Sequence, residues 1–373
     1  MRMRPFIVGF SLAAIALGAC ALNPPPPADA TPTCGSTLTA SVTFTRGLVC
    51  TGNGLVIAAE GITVNLNGHS ITGNGSGSGS GIVTNGHAVT IRDGRITNFD
   101  SGVSANQGPN HGPTIVRVHF DHNQIGVLLV RVGGALVRAS SFMNNRTGIS
   151  CGEGGGDGYS GNTFSKNTDG VDLFKCNNVR VRNNSFSANT TGISGDQTLS
   201  AVVESNHIAG GTTGIDFELR NQDAVITRNT IINGRIGIRV STGGVSSGQR
   251  QPVSGNTISR NVMRNNGAAG LAIIIDATQF LPSFVSNNVV IANVFDRNGF
   301  HPAGTTNSPL GTELINDGAY ANVLNGDDAF TFRDNVATGN ADLGIQAVAG
   351  INDGGGNTAS GNGNAAQCLG VAC

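Results

Sequence analysis

A two-residue unit, glycine followed by an aliphatic residue, returns along this chain at an almost constant interval. It occurs eight times from Gly81 to Ile238, at successive spacings of 21, 24, 22, 22, 22, 22 and 23 residues. One hydrophobic position and two asparagine positions recur at the same interval, and we call each such series of equivalent residues a column. Their members include Phe120, Phe142, Phe164 and Phe186; Asn123, Asn145, Asn167 and Asn189; and Asn162, Asn184, Asn206 and Asn229. Columns in phase at one period indicate that each repeat is one turn of a coil.

Within each repeat, apolar and polar residues alternate, as in "VRVRNNSFSAN", and this is the period of a β-strand. The repeat therefore predicts an all-β solenoid in which each strand pairs in parallel with its equivalents one coil above and below. Asparagine tolerates left-handed turns, and its amide can bond the next coil. After Ile238 the period loosens, with Gly270 and Gly344 in later coils. From Gly81 to Gly344 we expect about 11 coils of about 22 residues.

On these columns and two further segments, the sequence resembles right-handed parallel β-helix proteins with pectate-lyase-like repeats, of the exported bacterial type. "CGSTLTASVTFTRGLVCTGNGLVIAAEGITVNLNGHSITG" looks like their N-terminal cap and first coils, and "CLGVAC" like their closing element. The resemblance covers residues 34–373. It implies a single-stranded right-handed parallel β-helix with an N-terminal cap, and a function in binding or processing polysaccharide.

The N-terminus predicts export. Residues 1–20 have two arginines, a short apolar run and small residues, which is the pattern of a signal peptide. The end of this segment, Leu17 to Cys20, resembles a bacterial lipobox, which implies a lipid on Cys20 as the link to a membrane. Ordinary cleavage after Ala21 or Ala30 is the alternative. A proline-rich linker, residues 21–33, follows. We therefore expect a secreted or cell-surface protein.

Six cysteines remain besides Cys20, and they form three pairs that are local in sequence. Disulfides are the expected state in an oxidising compartment. The predicted pairs are Cys34 with Cys50, Cys151 with Cys176, and Cys368 with Cys373. For the middle pair, two free buried thiols are the alternative.

The charge of the chain excludes one class of partner. Lysine and arginine number 22 and aspartate and glutamate 23, so the net charge is −1. A protein that binds nucleic acid nonspecifically needs a basic footprint, and the overall composition offers none. The resemblance to β-helix proteins implies an extracellular polysaccharide as partner, and the oligomeric state stays open.

The segment "NTDGVDLFKC", residues 167–176, contains carboxylates that the scaffold does not require. It resembles the first motif of polygalacturonase-type glycoside hydrolases, in which the Asp after Asn-Thr, here Asp169, is catalytic. That family also needs an Asp pair one coil on, where this chain has Thr190 and Thr191. A "GDDAF" run, with Asp327 and Asp328, lies many coils away. Acids so far apart cannot share a glycosidic bond, so this particular activity is not expected.

"DGVDL" also resembles the calcium-binding run of some pectate lyases. That resemblance implies calcium as the one possible cofactor, held by Asp169 and Asp172 with Asp157 from the previous coil, and Lys175 as a candidate base. Calcium prefers six to eight oxygen ligands. Thr168 stands where the family has the first Asp of the run.

The outward positions of this strand and its neighbours predict a polar stripe. One column contains Asp172, Ser194, Asp216 and Arg239, and the next contains Phe174, Asp196, Glu218 and Ser241. Asp172 and Asp216 lie two coils apart, about 9.6 Å by strand spacing, at the upper end of the range for an inverting carboxylate pair. We predict these two, with Lys175, as catalytic. The predicted substrate contacts are Phe174, Asp196, Glu218, Arg220 and Arg239. The alternative is a solvated sheet face whose charges prevent edge pairing.

A second polar group lies in "RVHFDHN", where His119, Asp121 and His122 resemble a metal or acid–base set. Since Phe120 belongs to the hydrophobic column, a solvated turn is the favoured interpretation.

Two functions follow from these patterns. The first is binding or processing of an extracellular, acidic polysaccharide by a lyase, hydrolase or epimerase that uses the stripe. The second is a non-catalytic surface scaffold or adhesin. The absence of tryptophan favours the second, because sugar platforms usually need large aromatic rings.

Overall fold

The computed structural model describes residues 31–75, 77–85, 88–108, 112–218, 220–241, 252–276, 285–304, 314–324 and 329–373. The predicted signal peptide with Cys20, most of the proline-rich linker, and the pair Asp327 and Asp328 lie outside the described residues. Over the described ranges the chain is all-β, and no helix long and apolar enough to cross a membrane occurs in them.

The chain winds as a right-handed parallel β-helix, which confirms the predicted fold class. Each turn contributes one strand to a sheet that we call sheet A. Its strands are β1 (Ser36–Leu38), β4 (Leu55–Ile57), β7 (Ser80–Val83), β9 (Ser101–Gly108), β11 (Ile125–Val132), β14 (Thr147–Gly152), β17 (Asp169–Phe174), β20 (Thr191–Asp196), β23 (Thr213–Glu218), β26 (Ile236–Ser241), β30 (Ala269–Asp276), β36 (Ala319–Leu324), β39 (Ile345–Ala349) and β42 (Cys368–Leu369).

Each turn then contributes two short runs to sheet B, separated by a corner. The first run contains β2 (Val42–Thr43), β5 (Ile62–Asn65), β12 (Leu136–Arg138), β15 (Gly158–Ser160), β18 (Arg180–Arg182), β21 (Val202–Glu204), β24 (Val225–Thr227), β28 (Thr257–Ser259), β32 (Asn288–Ile291), β37 (Phe330–Arg333) and β40 (Ile351–Gly355). The second run contains β3 (Leu48–Val49), β6 (Ser70–Thr72), β13 (Ser141–Met143), β16 (Thr163–Ser165), β19 (Ser185–Ser187), β22 (His207–Ala209), β25 (Thr230–Ile232), β29 (Val262–Arg264), β33 (Val294–Asp296), β38 (Val336–Thr338) and β41 (Thr358–Ser360). Strands β8 (Val89–Thr97) and β10 (Thr114–Asp121) pass through both runs.

Two small pairs stand outside these sheets. Strands β27 (Val253–Ser254) and β31 (Val285–Ser286) are parallel, and β34 (Ala303–Gly304) and β35 (Leu314–Ile315) are antiparallel. Sheet A has 14 strands in the described chain, so the prediction of about 11 coils is close. The count from Gly81 to Gly344 left out strands β1 and β4 at the N-terminal end and β42 at the C-terminal end.

The chain turns its corners by left-handed residues. In the coil that follows β17, Lys175, Asn178, Asn183 and Ala188 have φ angles of 53°, 55°, 55° and 52°. Asparagine reaches this region at low cost, whereas lysine and alanine do so only where the surrounding structure holds them. The corners keep the strands between them short and straight, so equivalent residues stack in register.

Register-stacked columns form the core. The rings of Phe120, Phe142, Phe164 and Phe186 stack with centroids 4.9, 4.8 and 4.6 Å apart. The asparagine columns are buried ladders that join successive coils. For example, Asn145 donates from its backbone N–H and from Nδ2 to Oδ1 of Asn167, at 2.9 and 3.1 Å. Each ladder amide thereby satisfies a buried backbone group of a neighbouring coil.

All three predicted disulfides are present: Cys34–Cys50, Cys151–Cys176 and Cys368–Cys373. The middle pair, for which free thiols were the alternative, is bridged. It closes a loop of 25 residues beside the strand that contains Asp169 and Asp172.

Candidate functional site

The outer face of sheet A brings the predicted polar columns together. Register pairing joins Asp172 to Ser194, Ser194 to Asp216 and Asp216 to Arg239, on strands β17, β20, β23 and β26. The same pairing aligns Phe174, Asp196, Glu218 and Ser241. We call the five carboxylates of this face the acidic stripe: Asp169, Asp172, Asp196, Asp216 and Glu218.

Strand geometry explains why these side chains face outward. Val171 and Leu173 alternate with Asp172 and are fully buried in the core of the coil. Their burial fixes the face to which Asp172 and Phe174 belong, because a slip of one residue would expose both aliphatic side chains.

Asp172 lies between two serines in the middle of the stripe. The hydroxyl of Ser194 donates to Oδ1 of Asp172 at 3.0 Å, and that of Ser150 approaches Oδ2 at 3.5 Å. Burial raises the pKa of Asp172, the two serine hydrogen bonds oppose the rise, and the charge of Asp196 adds to it. The result is a half-buried carboxyl that keeps its proton at higher pH than an exposed Asp and still faces the surface.

Asp169, at the start of the same strand, has a raised pKa for a similar reason. Burial is the largest cause and the charge of Asp172 is the next, while Arg146 opposes both. Sequence inspection missed Arg146. The phase of the repeat could have found it, because Arg146 precedes Gly148 by two residues as Thr168 precedes Gly170.

Asp216 is engaged in an ion pair. Nε of Arg239 donates to Oδ1 of Asp216 at 2.7 Å, Nη2 of Arg239 donates to Oδ2, and Nη2 also reaches Oε1 of Glu218 at 2.8 Å. The Asp216 side chain is 8% exposed. Burial by itself lowers the pKa of Arg239, but the hydrogen bond and charge of Asp216 and the charge of Glu218 outweigh it and raise that pKa. This bidentate pair holds Asp216 in one place.

Glu218 and Asp196 complete the stripe. Burial raises the pKa of Glu218, and the charge of Asp216 adds to the rise while Arg239 opposes it. Burial also raises the pKa of Asp196, against the opposing effect of Gln197, whose Nε2 donates to Oδ2 at 3.3 Å. The Oδ1 atom of Asp196 is buried without a hydrogen-bond partner. Four carboxyl groups with raised pKa therefore share this face.

The predicted base, Lys175, forms its ion pair with Glu153, which does not belong to the acidic stripe. Its Nζ lies 3.8 Å from Oε1 of Glu153, one coil before, and 5.0 Å from the ring centroid of Phe174. Glu153 also accepts a hydrogen bond from Nε of Arg131 at 2.9 Å. Phe174 is 39% exposed and offers a ring beside the stripe. Lys175 therefore belongs to a surface ion-pair network at the end of the strand.

Two other predicted site residues lie in the interior. Arg220, predicted as a substrate contact, is only 5% exposed, and its charge opposes the rise in the pKa of Asp196. Asp157, predicted as a calcium ligand, is 1% exposed and accepts hydrogen bonds from the backbone N–H of Ala135 at 2.7 Å and the hydroxyl of Tyr159 at 3.0 Å. Its side chain points into the coil, so the predicted set of three calcium ligands does not converge.

Within the described ranges, no group of three or more His, Cys, Asp or Glu side chains is placed to hold a metal ion. Asp169 and Asp172 alone supply too few oxygens for an ion that prefers six to eight.

Comparison with known proteins agrees with this fold. The family model described as "Right handed beta helix region" matches residues 126–280. Two mutants of the periplasmic alginate epimerase AlgG are structurally similar at 16% identity each. One has a TM-score of 0.55, with 78% of this chain and 73% of that chain covered, and the other 0.52, with 90% and 76% covered.

The A-module of a mannuronan C-5 epimerase from Azotobacter vinelandii is 14% identical, with a TM-score of 0.48 over 91% of this chain and 90% of that chain. None of the curated proteins compared with the sequence matches it significantly. At such identities the similarity concerns the fold. The matched repeat region and the continuous parallel coil show that this chain has the fold of a right-handed parallel β-helix.

Proposed function

We propose that the outer face of sheet A binds an extracellular acidic polysaccharide and that Asp172 exchanges a proton with the bound sugar. The observation that carries this proposal is the environment of Asp172. It is a half-buried carboxyl with a raised pKa, held by Ser194 on a face that a ligand can reach. Catalytic acids and bases need pKa values near the working pH, and burial is one way to obtain them.

Two other features support an exported enzyme that acts on sugar polymers. Three disulfides favour an oxidising compartment. A periplasmic alginate epimerase is among the structural neighbours, and we extend to this chain the idea that such a coil presents a face to a polysaccharide. A long flat sheet face, with equivalent residues about 4.8 Å apart, suits an extended linear polymer.

The charges of this face determine the pH range in which an acidic polymer can bind to it. Ionised, the acidic stripe would repel a polyanion. Because the pKa values of Asp169, Asp172, Asp196 and Glu218 are raised, these groups become neutral at a higher pH than exposed carboxylates do. Arg146 then dominates the local charge, because Asp216 balances the charge of Arg239. We therefore expect binding of an acidic polymer to strengthen as the pH falls from neutral.

The roles within the site follow from the contacts. Asp172 donates or accepts the proton. Asp216, fixed by Arg239, positions that guanidinium so that part of it remains available to a substrate carboxylate, since guanidinium forms several directed hydrogen bonds. Phe174 offers one ring for stacking against a sugar. No step of this proposal uses calcium or Lys175.

The test is an activity screen of the mature domain, residues 31–373, on acidic and neutral polysaccharides between pH 4.5 and 7.5. Three readouts separate the reaction classes: reducing ends for hydrolysis, ultraviolet absorbance of unsaturated products for a lyase, and proton NMR of the polymer for an epimerase. Asp172→Asn should lower turnover at least 100-fold, the usual loss on removal of a general acid or base. Asp334→Asn is the matched control, because it removes an exposed carboxylate from a corner of sheet B, where Asn tolerates the φ of 55°.

Equal activity of Asp172→Asn and wild type would reject the assigned role of Asp172. A non-catalytic surface scaffold is the second candidate, favoured by the lack of tryptophan in the chain. That function would be indicated by saturable polysaccharide binding with no turnover in any of the three readouts.

A further inference from the structure

Sheet B presents a surface of the opposite charge. Six arginines project from it over five successive coils, and we call them the arginine stripe: Arg92, Arg95, Arg117, Arg138, Arg180 and Arg182. The net charge of −1 does not reveal this basic surface, because the acidic stripe on sheet A offsets its positive charge.

Three of these arginines recur in one column of the first run. Register pairing links Arg92, Val116 and Arg138, and then Ser160 and Arg182. Arginine thus occupies every second rung. With strands about 4.8 Å apart, the guanidinium-bearing positions repeat about every 9.6 Å along the axis of the coil.

The charge of the stripe is only partly neutralised. Arg92 and Arg117 both pair with Asp93 at 2.6 Å, and Arg95 lies 3.8 Å from Asp121. The hydrogen bond from Arg117 is the main reason that the pKa of Asp93 is lowered; burial opposes it.

In the part of the chain that the structure describes, no ion pair involves Arg138, Arg180 or Arg182, and all three are exposed. Within the five coils of the arginine stripe, six cations therefore face two carboxylates, Asp93 and Asp121. Glu204, in register with Arg182 on the next coil, pairs with Arg228. An exposed excess of one sign over several coils attracts a ligand of the other sign.

A groove lies at the N-terminal end of the stripe. It has a volume of about 740 Å³ and is lined by residues that include Gly68, His69, Asp93, Arg95, Arg117 and His119. His119 accepts or donates one hydrogen bond with the hydroxyl of Ser141, at 2.6 Å from Nδ1. The glycine leaves room in the groove wall, and the arginines and histidines supply donors. A concave, donor-rich groove suits a narrow chain better than a flat surface does.

We propose that the arginine stripe is a second binding surface, separate from the site on sheet A, for a linear polyanionic polysaccharide. The polymer lies along the axis of the coil with its end or a bend in the groove, and Arg138 and Arg182 pair with anionic groups spaced along it. Guanidinium binds carboxylate, sulfate and phosphate through paired hydrogen bonds, so any of these groups satisfies the stripe. The groove argues against a planar lipid surface, and the regular spacing argues for a repeating polymer.

The experiment measures binding of the mature domain to immobilised dextran sulfate, with uncharged dextran as the reference surface, at 50 and 300 mM salt. The test variant is Arg138→Ser with Arg182→Ser, because serine already occupies the equivalent rung at Ser160. We expect the double variant to bind about tenfold more weakly, the loss for two exposed ion pairs. The wild-type affinity should fall at 300 mM salt, because exposed charges are screened.

The matched control changes two arginines beyond the stripe: Arg260→Ser with Arg333→Ser. Both are exposed, Arg333 occupies the same column five coils further along, and Ser205 shows that serine fits the corner of Arg260. This control removes the same charge and should bind like wild type.

Three results would overturn the proposal. The first is equal weakening by the test and control variants, which would show that only net charge matters. The second is undiminished binding by Arg138→Ser with Arg182→Ser. The third is tighter, stripe-dependent binding to vesicles of anionic phospholipid or to single-stranded DNA than to dextran sulfate, which would assign the surface to another partner. The melting temperatures of both double variants should stay within a few degrees of wild type, so that a loss of binding reports on the surface.

Discussion

Asp157 gives the sharpest prediction, because it was predicted as a calcium ligand and lies in the core. Its carboxyl is 1% exposed, next to Tyr159 and the disulfide-bonded Cys151. Burial raises its pKa from 3.8 to about 6, against the opposing hydrogen bonds from Ala135 and Tyr159. A carboxyl in this position resists ionisation in the folded state only.

The effect on stability has a definite sign. In the unfolded chain Asp157 loses its proton near pH 4, and in the folded chain near pH 6. Below pH 4 both states hold the proton and the stabilising contribution is complete. Between pH 4 and 6 the unfolded state alone gains from ionisation, so the free energy of unfolding falls as the pH rises. The difference between these two pKa values of Asp157 corresponds to about 3 kcal/mol in the free energy of unfolding.

The assay is denaturant unfolding of wild type and Asp157→Asn from pH 4 to pH 7.5. Asparagine does not titrate, so the difference in unfolding free energy should shift by about 3 kcal/mol in favour of the variant as the pH rises. Asp317, whose pKa burial raises to about 7, is present in both proteins and cancels from the difference. A difference that does not vary with pH would refute the reasoning. We expect calcium to stabilise neither protein through Asp157, and a calcium effect present in wild type and absent from the variant would support the calcium-ligand prediction.

Two further predictions concern the ladder and the ion pair. Asn167→Ala should lower the free energy of unfolding by about 4 kcal/mol. The backbone N–H of Asn145 and the carbonyl of Phe142 lose their hydrogen-bond partners in the core, and each loss costs about 1–3 kcal/mol. A loss below about 1 kcal/mol in denaturant unfolding would contradict the role of the asparagine ladder. Arg239→Met should cost about 3 kcal/mol at pH 7, because Asp216 is left as a buried unpaired charge, and Arg239→Met with Asp216→Asn should recover most of it. Recovery in the double variant is the measurement that separates the ion pair from simple loss of packing.

The coil could be predicted from sequence because its constraints are repeated. Every turn needs an inward hydrophobic residue, a ladder amide and a close-packed glycine. The positions of Phe164, Asn167 and Gly170 can therefore be predicted from the phase of the repeat. At Gly170 an added Cβ would lie 2.5 Å from the carbonyl oxygen of Gly192, so no other residue fits without a shift. The repeat thus also fixed which residues face outward, and the register of Asp172, Ser194, Asp216 and Arg239 was confirmed.

The directions of individual side chains could not be predicted in the same way. Asp157 is the exception, because the phase of the repeat predicts its direction. It aligns with Ala135, Val179 and Ala201, all of them buried, so the column itself marks an inward position. Lys175 and Arg220 lie after the end of a strand, where the alternation of faces no longer applies. Their partners depend on corner geometry, which a strand period does not encode.

The two predicted catalytic carboxylates, Asp172 and Asp216, have different environments in the structure. A pair that transfers protons needs one group able to keep its proton and one able to stay ionised. Burial favours the protonated state of Asp172 although two serine hydrogen bonds oppose it, while Asp216 has its charge balanced by Arg239 and is covered from solvent. Asp172 is therefore the member of the pair that can exchange a proton with a bound sugar. In the proposed function Asp216 acts through the guanidinium that it holds, which makes it a positioning residue, and Asp172 is the one proton-transfer group of the pair.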